Sequence, residues 1–169
     1  VAGPKAAVEA AEPFIRMYSK ELFKVGERPG LGQVCKLTNN AISNAAMVAT
    51  AEALVVGTKA GLDPALLLEV INASTGRNSH SLVQFPRHVL PRTFDYGSYL
   101  DTGVKDLSLY CDLAHGLGVP VWMGTAVTEI RRAAVAHLGG DKDISTLIQL
   151  LEHLAGVEVK PGTPNAPKK

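Results

Sequence analysis

Residues 33–60, QVCKLTNNAISNAAMVATAEALVVGTKA, contain no proline and a single glycine, Gly57. Their apolar side chains recur every three or four residues, which is the spacing of one face of an α-helix. The pattern predicts a helix of about 28 residues, or ~42 Å at 1.5 Å per residue. Because apolar and small residues cover more than half of its circumference, we expect this helix to be buried among other helices.

The segments after the long helix also predict helices, and turn residues separate them. Asp63-Pro64 is a capping residue followed by a first-turn proline, which is a typical helix start. Pro86 and Pro91 predict irregular structure or a short helix across residues 85–97. Further helices are predicted over about 64–73, 100–117, 120–138 and 144–154. The body of the chain is thus predicted to be mainly α.

The residues before the long helix have a different character. Gly3-Pro4 predicts the start of a helix that Pro13 should interrupt. Residues 21–25 read as a short strand that ends before a glycine. A helix and a strand ahead of a purely helical run indicate segments of two classes. We therefore divide the chain into three parts: mixed α/β residues 1–26, a helical domain 27–155, and a mobile tail 156–169.

Composition and charge narrow the class of protein. The chain has 169 residues, of which 46% are hydrophobic and 20% charged, and its net charge is +1. This apolar content excludes a disordered chain, and the small net charge gives no strong attraction to nucleic acid or an anionic membrane. We therefore expect neither nucleic acid nor a membrane as a partner.

The cysteines and histidines predict neither a disulfide framework nor a metal site. Cys35 and Cys111 lie far apart in helical patterns, which fits a reducing, cytoplasmic location. Cys35 is about 100° around the helix from its neighbour Lys36, so we expect it to pack in the core. The five histidines show no metal-ligand spacing. Arg131 and Arg132 are predicted to lie on a solvated helix face.

Lys36 and Asn40 are the most informative polar pair. Four residues apart, they share one face of the long helix, one turn from each other. Gly30 and Gly32 precede this face, and two close glycines let another backbone or a ligand approach. A lysine there, if partly desolvated, can exchange a proton with a substrate hydroxyl near neutral pH, and Asn40 can hold a hydroxyl or carboxylate. Spacing alone favours an exposed lysine beside a glycine turn, whereas the cluster of Lys36, Asn39, Asn40 and Asn44 on an otherwise apolar helix favours a functional role.

A set of ordered motifs carries a family resemblance. The pattern Gly-x-Gly-x-x-x-Lys-x-x-x-Asn over residues 30–40 resembles the catalytic helix of the β-hydroxyacid dehydrogenases. That family includes 3-hydroxyisobutyrate dehydrogenase, tartronate semialdehyde reductase and, more distantly, 6-phosphogluconate dehydrogenase. Four ordered motifs together are more specific than any one of them. The other three are STGR at residues 74–77, KDL at 105–107 and GVP at 118–120.

The resemblance implies roles for individual residues. Lys36 would be the catalytic acid/base, taking the hydroxyl proton while a hydride leaves the same carbon for a nicotinamide. Asn40, Gly32 and Asp106 would bind the substrate. Lys105 would lie near the nicotinamide side of the cleft and bind the cofactor. The substrate would be a small hydroxy acid, and the cofactor would be NAD or NADP.

The resemblance covers about residues 1–155 and implies the fold. It implies the helical C-terminal domain of the 6-phosphogluconate dehydrogenase type, preceded in residues 1–26 by the last helix and strand of a Rossmann-type domain. The Gly-x-Gly-x-x-Gly turn after a strand that binds dinucleotides is not found in this sequence. We expect on the order of 100–150 further residues upstream. We also expect this chain to be inactive alone and to form a homodimer or homotetramer through its helices.

Two departures from the family pattern concern the substrate pocket. Ser98 stands where an aromatic residue is usual, and residues 78–80, NSH, follow the Ser-Gly-Arg loop where a bulky residue is usual. A more polar pocket, for a polyhydroxylated or larger acid, is the hypothesis that follows.

Two other functions stay open. The chain could be a non-enzymatic helical oligomerisation module, in which Lys36 and Asn40 are incidental. It could also be an imine reductase of the same fold, although that group usually replaces the lysine.

Overall fold

The computed structural model describes residues 1–162, in which the chain is helical and no strand forms. The mainly α body predicted from the sequence is confirmed. A π-helix spans His80–Val89, and a short 3₁₀ turn, Ile144–Thr146, leads into the last helix. The α-helices are α1 Lys5–Arg16, α2 Leu31–Lys59, α3 Pro64–Asn72, α4 Leu100–Gly116, α5 Trp122–Leu138 and α6 Leu147–Ala155.

The chain packs as two compact units. The first unit is Val1–Asn40, and the second begins at Ala41. Helix α2 is continuous through this boundary and contributes its first turns to the first unit. The predicted boundary after residue 26 assumes that residues 1–26 belong to a nucleotide-binding domain, and it stays a prediction.

The first unit differs from its prediction at two places. Helix α1 runs through Pro13, which is exposed, so water can reach the carbonyl that the missing proline N–H leaves without its helical partner. Within residues 1–162, the predicted strand over 21–25 is not part of a ladder. Its extended backbone pairs with Val1, whose amino group donates to the Phe23 carbonyl (2.7 Å) and whose carbonyl accepts from the Val25 N–H (2.9 Å). Bonds from one residue to both neighbours of the opposite residue are the pattern of a parallel pair.

The core of the second unit forms around α2, as predicted. Ala51 and Leu54 of α2 are completely buried together with Phe85, Leu100 and Leu147. By length and mean hydropathy α2 could also cross a membrane, but 56% of the relevant window is buried inside the fold. That degree of burial is typical of the core helix of a globular domain.

Local signals explain where the helices of the second unit begin. Asp63 caps α3, because its Oδ1 accepts the N–H groups of Ala65 (2.9 Å) and Leu66 (3.0 Å). The π-helix occupies the segment where prolines predicted irregular structure. Its wider turns accommodate Pro86, and the Leu90 N–H reaches the Phe85 carbonyl five residues back at 2.9 Å.

The segment after α6 is packed against the second unit as far as the structure describes it. Val159 is completely buried, and its N–H donates to Glu152 Oε1 at 2.7 Å. The same carboxylate oxygen accepts from Arg92 Nη1 at 2.6 Å, and the Gly162 N–H donates to Asp63 Oδ2 at 2.8 Å. The tail predicted from residue 156 is therefore packed in its first residues. Its remainder, residues 163–169, lies outside the described part of the chain.

Candidate active site

The start of α2 positions Lys36. Gly30 caps the helix with its carbonyl, which accepts the N–H groups of Gln33 (2.9 Å) and Val34 (3.0 Å). Its φ of +94° lies in the region that favours glycine. The glycine turn predicted from the sequence thus fixes the direction in which α2 begins. Lys36 follows six residues later, in the second turn of the helix.

Lys36 lines a groove of about 550 Å³ in the first unit, which we name the Lys36 groove. Lys36 and Asn39 are exposed, so the ammonium end of the lysine stem has access to solvent beside a largely apolar wall. Helix α2 contributes Gly32, Cys35, Lys36 and Asn39 to the groove, and the preceding residues contribute Val1, Ile15, Tyr18, Ser19, Glu21, Leu22, Phe23 and Val25.

Gly32 lines this groove at a position that has room for a Cβ. A Cβ added there would lie 3.7 Å from the Ala2 nitrogen and 3.9 Å from atoms of Val1, which are ordinary contact distances. The packing of the first unit therefore does not require a glycine at this position. The missing side chain instead leaves space in the Lys36 groove, as expected where a ligand approaches the backbone closely.

Sequence reasoning missed two residues of the groove. Cys35 was expected in the core, but it is an exposed free thiol that lines the groove. Asn39 was passed over in favour of Asn40. Its spacing of three from Lys36 was the available signal, since residues three apart share a helix face. Asn39 Nδ2 donates to Asn40 Oδ1 at 3.3 Å, which links the two amide side chains.

The predicted pair Lys105 and Asp106 lies in the second unit, in the middle of α4. Lys105 is exposed, whereas Asp106 is 5% exposed. Adjacent helical residues point about 100° apart, so the two side chains face different surroundings. Of the predicted site residues, the structure places Gly32 and Lys36 along one groove and Asn40 one helical turn further on.

The second unit also contains a row of hydrogen-bonded polar side chains that was not predicted from the sequence. His80 on the π-helix contacts Ser43 Oγ through Nε2 (2.9 Å) and Gln84 Oε1 through Nδ1. Burial lowers the pKa of His80, with a smaller contribution from the positive charge of Arg131. His80 is therefore neutral near pH 7 and has a hydrogen-bond partner at each ring nitrogen.

Arg131 corrects the prediction of a solvated arginine pair. Arg132 is exposed and pairs with Glu129 (Nη1 to Oε1, 2.6 Å), as expected, but Arg131 is completely buried. Its Nη2 donates to the Met47 sulfur at 3.0 Å, while Nε and Nη1 have no hydrogen-bond partner within residues 1–162. Burial lowers the pKa of Arg131 to about 10. The guanidinium lies against Gly103, where a Cβ would come within 2.6 Å of Nη1.

Known proteins resemble this chain in sequence and in fold. Residues 30–151 match the family profile described as NAD-binding of NADP-dependent 3-hydroxyisobutyrate dehydrogenase. The chain is 31% identical to 2-(hydroxymethyl)glutarate dehydrogenase of Eubacterium barkeri, over 96% of this chain and 54% of that protein. It is 33% identical to mitochondrial 3-hydroxyisobutyrate dehydrogenase of Mus musculus, over 72% of this chain and 38% of that protein.

A solved structure extends the similarity to the fold. The 3-hydroxyisobutyrate dehydrogenase of Mycobacterium tuberculosis matches with a TM-score of 0.79 and 26% identity, over 89% of this chain and 53% of that one. The chain thus spans about half the length, or less, of the relatives described here. Because the family profile covers most of the chain, from the glycine turn to the middle of α6, this protein belongs to the 3-hydroxyisobutyrate dehydrogenase family.

Proposed function

We propose that this chain carries the proton-exchanging part of a nicotinamide-dependent enzyme that interconverts a β-hydroxy acid and its oxo or semialdehyde form, with Lys36 as the general acid/base. The observation that carries the proposal is the Lys36 groove, where the lysine side chain and the side-chain-free Gly32 line one largely apolar wall. Family membership favours this function over a helical oligomerisation module.

The proposed step needs one proton acceptor and one or two groups that orient the substrate. In the oxidation direction, Lys36 Nζ in its neutral form takes the proton of the substrate hydroxyl, and in reduction the ammonium returns it. When bound, a nicotinamide would supply the hydride chemistry at the same carbon. Asn40, whose amide is linked to that of Asn39, hydrogen-bonds the substrate hydroxyl or carboxylate.

The residues that line the Lys36 groove are chemically suited to bind a nicotinamide. The apolar side chains of Leu22, Phe23 and Val25 line the groove beside Lys36 and offer a surface on which a flat nicotinamide ring would pack. Gly32 leaves the backbone of α2 accessible to a flat ring or a small acid. We assign Lys105 to the cofactor and Asp106 to the substrate, and both NAD and NADP remain candidates.

A substitution of Lys36 tests the proposal in the longer enzyme that includes this segment. Lys36→Ala should lower kcat by about 10²–10⁴-fold, because it removes the group that exchanges the proton. Lys20→Ala is the matched control, since Lys20 is an exposed lysine of the first unit that does not line the groove. Steady-state kinetics with a panel of β-hydroxy acids measures both variants. An unchanged kcat in Lys36→Ala would remove Lys36 from this role.

Three further expectations accompany the proposal. The 169-residue chain alone should not oxidise β-hydroxy acids with either NAD or NADP, and measurable turnover would contradict this. We expect a homodimer or homotetramer through the helical segments, which sedimentation analysis can measure. A cytoplasmic location is our proposal as well, because Cys35 and Cys111 are both free thiols.

A further inference from the structure

Two histidines that are distant in sequence meet at the surface of the second unit. His137 of α5 and His153 of α6 are both exposed, and their ring centroids are 4.7 Å apart with 33° between the ring planes. They are separated by sixteen residues, so no local ligand motif signals the pair. Packing of α6 against α5 brings the two rings together.

The electrostatic surroundings of this pair favour a cation. His137 lies in the last turn of α5 and His153 in the last turn of α6. The C-terminal end of a helix carries a partial negative charge from carbonyl groups that have no helical partner. Two such ends lie beside the histidine pair. Lys59 Nζ donates to the Ala155 carbonyl and partly offsets the charge at the end of α6.

The two imidazoles are also available as ligands. Elsewhere in the described chain, His80 and His88 hydrogen-bond to side chains, but neither His137 nor His153 forms a hydrogen bond or ion pair with a described side chain. Two nitrogens that bind one metal at about 2.0–2.1 Å lie within roughly 4 Å of each other. Exposed rings with centroids 4.7 Å apart can reach that separation by small side-chain rotations.

We propose that His137 and His153 form a two-histidine site for a divalent transition metal, with water as the remaining ligands. Neutral imidazole suits Cu²⁺, Ni²⁺ and Zn²⁺, and the affinity should be highest for Cu²⁺. No group of three or more metal-binding side chains occurs in residues 1–162, so the site is open and labile rather than a closed structural centre. A bound metal links the ends of α5 and α6.

The test uses the 169-residue chain with Cu²⁺ and Zn²⁺ as the probes. Isothermal titration calorimetry should give one Cu²⁺ site, and electron paramagnetic resonance should show two equivalent nitrogen ligands. His137→Gln and His153→Gln should each weaken Cu²⁺ binding by at least about tenfold, since loss of an outer-shell partner alone has an effect of this size. His115→Gln, which removes an exposed histidine of α4, is the matched control and should leave the affinity unchanged.

Stability measurements give a second readout that does not depend on activity. Zn²⁺ at saturation should raise the Tm of the wild-type chain and of His115→Gln, because a ligand of the folded state stabilises it. It should not raise the Tm of His137→Gln or His153→Gln. The proposal is overturned if His115→Gln weakens Cu²⁺ binding as much as the other two variants, or if the spectrum shows a single nitrogen ligand. His137 and His153 are exposed, so circular dichroism should show that His137→Gln and His153→Gln keep the wild-type fold.

Discussion

Replacing Gly103 by alanine tests whether this glycine exists to admit a buried guanidinium. The added Cβ would lie 2.6 Å from Nη1, 2.9 Å from Cζ and 3.1 Å from Nε of Arg131. Arg131 is completely buried and its Nη2 bonds to Met47, so the guanidinium has little room to move away. Overpacking of this kind costs about 1–3 kcal/mol, and the helix propensity of alanine over glycine returns ~1 kcal/mol. We expect a net loss of up to about 2 kcal/mol in the free energy of unfolding.

Urea denaturation followed by circular dichroism measures this loss. Gly116→Ala is the control within the same helix, because no atom lies within 4 Å of the Cβ it would add. That variant should be as stable as the wild type or more stable by up to ~1 kcal/mol. If Gly103→Ala were as stable as Gly116→Ala, the close packing of Gly103 and Arg131 would not constrain the sequence.

Arg131→Met makes the same reasoning quantitative. The lowering of the Arg131 pKa from 12.5 to about 10 means that burial disfavours the charged form by on the order of 3 kcal/mol. Methionine fills a similar volume without charge, so Arg131→Met should be at least as stable as the wild type. Gly103→Ala in the Arg131→Met background should then cost less than alone. Additive effects in this double-mutant cycle would refute direct contact between the two positions.

Three other predictions follow from single contacts. Gly32→Ala should leave the free energy of unfolding unchanged or raise it by up to ~1 kcal/mol, because the added Cβ makes ordinary contacts only. In the longer enzyme it should raise KM, because the methyl group narrows the Lys36 groove. An unchanged KM would show that Gly32 is not part of the substrate site. Burial lowers the pKa of His80 in the folded state, so the unfolded state binds more protons. The free energy of unfolding should therefore fall as the pH drops below about 6.5. His80→Gln should weaken this pH dependence in urea denaturation experiments. Glu152→Gln should weaken the contacts of this side chain with Arg92 and the Val159 N–H by about 2 kcal/mol, and should therefore speed proteolysis near residues 156–162. Equal cleavage rates in the variant and the wild type would show that Glu152 does not hold this segment in place.

The helical part of the fold could be predicted from the sequence because its signals are local and repeated. The period of three to four over α2, the Asp63 cap and the glycine and proline stops each specify backbone conformation within a few residues. A strand such as that predicted over 21–25 is harder to predict, because a ladder depends on partners distant in sequence; among the described residues, Val1 pairs with this segment in the parallel pattern. Similarly, nothing local predicts that a proline-containing segment forms a π-helix.

For the polar residues, too, local spacing indicates some features, whereas contacts between distant residues determine others. Lys36, Asn40 and Gly32 could be singled out because residues four apart on a helix share a face and because paired glycines let a ligand approach the backbone; their roles stay predictions. The burial of Arg131 was missed because an Arg-Arg pair near a glutamate fits a solvated face, and only the missing side chain of Gly103 on α4 makes room for one of the two. Such complementarity between distant residues has no signature along the chain.

The continuity of α2 has a consequence for the proposed chemistry. The helix carries Lys36 in its second turn and core residues such as Ala51 and Leu54 in its later turns. A proton-exchanging group works best when its backbone is held to within about 0.5 Å by a rigid element. Helix α2 is continuous from Leu31 to Lys59, so a regular helical backbone of 29 residues carries Lys36. In the later part of the same helix, Leu54→Ala removes a completely buried side chain, so it should lower the free energy of unfolding measured in urea by about 2–5 kcal/mol.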